Sequence, residues 1–131
     1  MARILLVEDD PDVRPLLEHI LHAEGYDTTV TETVTNALAL IGQQPFDLVI
    51  TDVNLPDGSG LRVADAAAAA GRKVMVLTGQ GLSLKPGALA AYDYLLKPVR
   101  VPELLEAVKK RLSRPEGGAK IVDFPPPNRS N

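Results

Sequence analysis

The stretch "RILLVEDDPDVRPLLEHILHAEG", Arg3 to Gly25, decides the fold. It opens on a near-continuous apolar run, "RILLV" (3–7), which suits a strand covered on both faces. The run stops abruptly at three acids, Glu8, Asp9 and Asp10. Pro11 then stands where the first residue of a helix belongs, with Asp10 ahead of it as a cap. Val13, Leu16, Leu17, Ile20 and Leu21 recur at helical spacing, and Gly25 marks the stop. The stretch is one strand, an acidic rim and one helix.

Strand and helix patterns alternate along the rest of the chain, without an internal sequence repeat. "FDLVIT" (46–51) and "KVMVLT" (73–78) are further continuous apolar runs, and "YDYLL" (92–96) is a fourth. "YDTTV" (26–30) is a fainter strand, held by β-branched residues and expected at an edge. Helical stripes lie between: Val34, Ala37, Leu38 and Ile41; an alanine-rich stretch from Leu61 to Ala70; and Val101, Leu104, Leu105, Val108 and Leu112. The segment "GQGLSLKPGALAA" (79–91) holds three glycines and a proline, so any helix there is short and soft. Strands alternating with helices through short connections give right-handed crossovers and a doubly wound parallel α/β sheet. In such sheets ligands sit beyond the carboxyl ends of the strands.

Bulk composition narrows the classes. A length of 131 residues fits one domain with a real core. Cysteine is absent, which excludes disulfides, thiolate metal sites and cysteine nucleophiles. A net charge of −3 without basic blocks leaves no footprint for nucleic acid. No apolar run reaches membrane-spanning length, and the N-terminus meets acids too early for a secretory signal. The expectation is a cytoplasmic protein, with a folded domain over 1–114 and a Pro/Gly-rich, disordered tail over 115–131.

The positions just past the strands form a coherent set: Glu8 and Asp9, then Asp52 with Asn54 close behind, then Thr78, then Lys97 before Pro98. Carboxylates with a backbone carbonyl are what a hard cation takes, and a sparse oxygen set suits Mg²⁺ or Mn²⁺. A carboxylate can also attack phosphorus to give an acyl phosphate, while a hydroxyl and an ammonium are donors for phosphoryl oxygens. The chemistry of this set is cation-assisted placement of a phosphoryl group on an aspartate. Blander readings apply elsewhere. Asp10 is a helix cap, Asp57 in "PDGSG" (56–60) serves a turn, and His19 and His22 are ordinary on a polar helix face.

The motifs "ILLVEDD", "DLVITDVNLPDGSG", "VMVLTG" and "YLLKP" together resemble the receiver domain of two-component response regulators, over about residues 2–113. The resemblance implies a five-stranded flavodoxin-like sheet in the order 2-1-3-4-5. It implies Asp52 as phospho-acceptor, Glu8, Asp9, Asp52 and Asn54 around Mg²⁺, Thr78 as switch hydroxyl, Tyr94 as switch aromatic and Lys97 as the cation paired with Asp52. Pro56 and Gly60 match the family's turn, and a cis Lys97–Pro98 peptide is common in it. The implied partners are a histidine kinase or histidine phosphotransferase and a downstream protein, with the chain a monomer or weak homodimer and not an enzyme beyond its own phosphorylation chemistry. The 19 positions from Thr78 to Lys97 are short for the family, which bears on the output face. The readings in other classes are a binding-only pseudo-receiver and a haloacid-dehalogenase-type phosphatase. In the second, Asn54 stands where the general acid belongs.

Overall fold

The computed structural model describes residues 2–79 and 92–113. The soft helix expected within 79–91 and the tail expected from 115 therefore lie almost wholly outside the described residues. Five strands, β1 (Arg3–Val7), β2 (Asp27–Thr31), β3 (Leu48–Asp52), β6 (Lys73–Thr78) and β7 (Asp93–Leu96), pair in parallel in the order β2-β1-β3-β6-β7. Between β3 and the next helix, β4 (Asn54–Leu55) and β5 (Gly58–Ser59) form a small antiparallel hairpin. With the hairpin set aside, the order is the expected 2-1-3-4-5 of a flavodoxin-like sheet.

Among the described residues four helices flank the sheet: α1 (Val13–Ala23), α2 (Val34–Gln43), α3 (Gly60–Ala69) and α4 (Val101–Ser113). Side chains alternate between the faces of each strand, and the core divides accordingly. Leu5, Val7, Val49, Val74 and Val76 pack with α2 and α3. Ile4, Leu6, Leu48, Ile50, Met75 and Leu77 pack with α1 and α4. Each such side chain, taken fully out of water, contributes about 1.5–3 kcal/mol before ordering costs. The continuous apolar runs of β1, β3 and β6 therefore mark strands buried on both sides.

Asp10 caps α1 as expected. Its carbonyl accepts from Arg14 N (2.9 Å), and Oδ1 accepts from Asp12 N (2.8 Å) and Val13 N (3.2 Å). Regular helix nevertheless begins only at Val13, because Pro15 has no N–H to offer the Pro11 carbonyl. Gly25 closes the helix with φ +93°, its N–H reaching His22 O (2.9 Å), while Tyr26 N reaches Leu21 O (3.2 Å). That pair of bonds defines a Schellman ending.

Two expectations need correcting. Leu16 belongs to the α1 stripe by spacing but is 56% exposed. Steps of about 100° per residue place it farthest round from the buried Leu17 and Leu21, past the arc that meets the sheet. On the edge strand β7, Tyr94 and Leu96 are exposed, although the run reads as an apolar strand.

Candidate functional site

The carboxyl ends of β1, β3, β6 and β7 converge on one rim. Glu8 follows β1 and is fully buried, with its backbone N–H held by Thr31 O (3.0 Å). Asp9 is half-buried beside it. Asp52 ends β3 and is 6% exposed. One carboxylate oxygen from each of Glu8, Asp9 and Asp52 lies within 4.8 Å of the others. Sequence reasoning named this trio correctly as a cluster.

Lys97 is the cation that makes the cluster tolerable. Its Nζ donates to Asp52 Oδ2 (2.9 Å) and lies 2.7 Å from Glu8 Oε1. Lys97 thus bridges two buried carboxylates with one ammonium. Burial, reinforced by the neighbouring Asp52 charge, lifts the Glu8 carboxyl above its usual range despite Lys97. Burial also works against the Lys97 ammonium, yet the two carboxylates facing it prevail and raise its pKa. A set of three clustered carboxylates fits a hard divalent cation, which would turn mutual repulsion into coordination.

The remaining expected residues take distinct places. Thr78 ends β6 and is buried, and Lys97 N donates to its carbonyl (2.8 Å), so the two stand side by side. The Lys97–Pro98 peptide is cis. Asn54 begins the hairpin, with its side chain exposed. Tyr94 pairs with Val76 and is half exposed, two residues along from the Leu96 that pairs with Thr78. His19 and His22 lie exposed on α1, away from the cluster.

Three features were not legible locally. Thr51, fully buried, donates through Oγ1 to the Asp52 carbonyl (3.0 Å). Gly60 packs so tightly under the site that a Cβ there would stand 1.6 Å from Asp52 O. Asp57, read from sequence as a turn residue, reaches across the chain to α2. Its carboxylate accepts from Val34 N (2.8 Å), Thr35 N (3.0 Å) and Thr35 Oγ1 (2.8 Å). Those bonds, the Thr35 N–H foremost, lower the Asp57 pKa to about 2.

The Asp57 shift has a signed consequence. Its folded pKa is depressed, so its contribution is complete above the unfolded value and is lost as pH falls through the folded one. Between about pH 4 and about pH 2 the wild type is therefore expected to lose stability more steeply than Asp57→Asn. Urea midpoints across that window measure it, and parallel slopes would refute it.

The response regulator receiver domain family model matches residues 4–109. The response regulator PilR of Pseudomonas aeruginosa is 37% identical over 92% of this chain, which spans 29% of PilR. The receiver protein CpdR of Brucella abortus is 33% identical, over 86% of this chain and 98% of its own length. TrrA of Thermotoga maritima has been solved with Mg²⁺ and BeF, and that structure superposes with a TM-score of 0.76 at 35% identity, covering 84% of this chain and 98% of the other. TrrA has also been solved with the histidine kinase ThkA, where it matches at 37% identity and a TM-score of 0.76, over 86% of this chain and 100% of the other. Sequence and fold agree across most of the described residues, and the chain belongs to the response regulator receiver domains.

Proposed function

We propose that this receiver takes a phosphoryl group from a phosphohistidine of a histidine kinase or phosphotransferase onto Asp52. The observation that carries the reading is the convergence of Glu8, Asp9 and Asp52 with Lys97 at one sheet rim. Asp52 is held by its strand with a carboxylate oxygen facing the rim, and Thr51 fixes the carbonyl behind it. A carboxylate oxygen of Asp52 forms the new bond to phosphorus as the bond to the partner's imidazole nitrogen breaks. The imidazole leaves with the electron pair.

A bound Mg²⁺ would offset the charge of the three carboxylates and of the phosphoryl oxygens. Its ligands would be Asp9, Asp52 and the Asn54 main-chain carbonyl, with Glu8 behind them. Lys97 then exchanges its bond to Asp52 for one to a phosphoryl oxygen, and the Thr78 hydroxyl donates to another. Thr78 pairs with Leu96, and Tyr94 lies on the same open edge. A small move of Thr78 thereby alters an exposed apolar surface that a downstream protein can read, as a population shift between two packings. No helix among the described residues is long and apolar enough to cross a membrane, and the reading carries a cytoplasmic location with it.

The test is phosphotransfer profiling against autophosphorylated histidine kinases from the source of the chain. One donor is expected to lose its label to this protein well before the rest, and only with Mg²⁺ present. Absence of transfer from every kinase and from small phosphodonors alike would remove the reading.

A further inference from the structure

The hairpin that follows Asp52 is secured at three places. At its base, Gly60 N donates to Val53 O (2.6 Å). In its middle, Leu55 is buried in the core beneath α2 and α3. At its tip, Asp57 is bound to the first turn of α2 by three hydrogen bonds from Val34 and Thr35.

The third tie is not simply a helix cap. Helix α2 has its own cap in Thr33, whose Oγ1 accepts from Asn36 N (3.1 Å). Thr33 and Asp57 together satisfy the N–H groups of Val34, Thr35 and Asn36, leaving none of the first three unmet. Asp57 is thus a second cap brought from 23 residues away in sequence. A charged acceptor at a helix N-terminus makes strong, directional bonds. What it fixes is the position of the hairpin, and the hairpin carries Asn54.

We infer that Asp57 is a positioning residue for the cation site, holding the β4–β5 hairpin against α2 so that the Asn54 main-chain carbonyl stays in place to ligate Mg²⁺. The inference rests on the proposed site. Outer-shell groups that orient a metal ligand are commonly worth 10–100-fold in metal affinity when removed. The hairpin keeps its base and its buried Leu55, so the low end of that range applies.

The test titrates Mg²⁺ alone into the full chain and follows the backbone amide shifts of Asp52 to Leu55 by NMR. Asp57→Ala is expected to weaken Mg²⁺ binding roughly tenfold. Asp57→Asn, which keeps one acceptor oxygen, is expected to fall between it and wild type. Thr33→Ala is the control, because it loosens the same helix end without touching the hairpin. It should lower thermal stability and leave Mg²⁺ affinity unchanged. If Asp57→Ala is too unstable to assay, Thr35→Val removes one of the three bonds and should give a smaller loss of affinity. Wild-type affinity in Asp57→Ala, or in Thr35→Val where it stands in, would overturn the inference. So would an equal weakening in Thr33→Ala at a matched loss of stability. In either case the wild-type titration would leave the site reading standing. No Mg²⁺-dependent shift in the wild type would instead remove the site reading, and the inference with it.

Discussion

On the proposed reading, replacing Asp52 by asparagine is expected to abolish phosphoryl uptake. Wild-type protein given acetyl phosphate and Mg²⁺ is expected to gain one phosphoryl group by intact mass, and Asp52→Asn none. The rate is expected to fall by more than about a thousandfold, because an amide is no nucleophile at neutral pH. Glu8 is buried and paired with Lys97, and Asp9 sits on another strand end. The substitution keeps the shape of the side chain and removes one of three clustered negative charges. The variant is therefore expected to fold at least as stably as wild type, which separates lost chemistry from lost structure. A label that persists at wild-type rate in Asp52→Asn would move the acceptor elsewhere and sink the proposal.

Gly60→Ala is the second large effect, and it acts through backbone. A Cβ at this position would stand 1.6 Å from Asp52 O, 2.7 Å from Asp52 C and 2.9 Å from Thr51 Oγ1. None of these atoms is the free end of a flexible side chain. Either α3 must lift away from β3, or the Asp52 peptide must turn. Overpacking costs typically 1–3 kcal/mol and more where backbone is displaced, so a loss of about 3 kcal/mol or more is expected. Phosphoryl uptake should fall with it, since the acceptor itself is moved. Gly42→Ala is the contrast. Nothing lies within 4 Å of a Cβ there, and alanine in a helix is favoured over glycine by roughly 0.5–1 kcal/mol. Denaturant midpoints of the two variants check both signs. Equal midpoints would show that β3 and α3 yield where the geometry says they cannot.

Much of this architecture was legible because burial is written in runs. "RILLV" and "KVMVLT" coincide with β1 and β6 residue for residue, since strands covered on both faces have no polar side to blur them. "YDYLL" was harder, being an edge whose outward Tyr94 and Leu96 carry no burial signal. The hairpin of two-residue strands is too short for any periodicity, and its sequence reads only as a turn. The acid trio and Lys97 could be placed because topology brings strand ends together, whatever the loops do. Asp57 could not be placed. Its partners, Val34 and Thr35, lie more than twenty residues away, and local turn chemistry explains the residue well enough to conceal them. Gly60 was noticed for its turn, whereas what demands a glycine is the Asp52 carbonyl beneath it.

Lys97 N is bonded to Thr78 O at 2.8 Å, so the chain leaves the rim at Thr78 and returns to the same spot. Just before Lys97, β7 pairs with β6 up to Thr78 and Leu96, so the spacing of hydroxyl and ammonium is set by the sheet ladder. Lys97 is registered to Thr78 as one strand is to the next, and a substitution that slips β7 against β6 would carry the ammonium away with it.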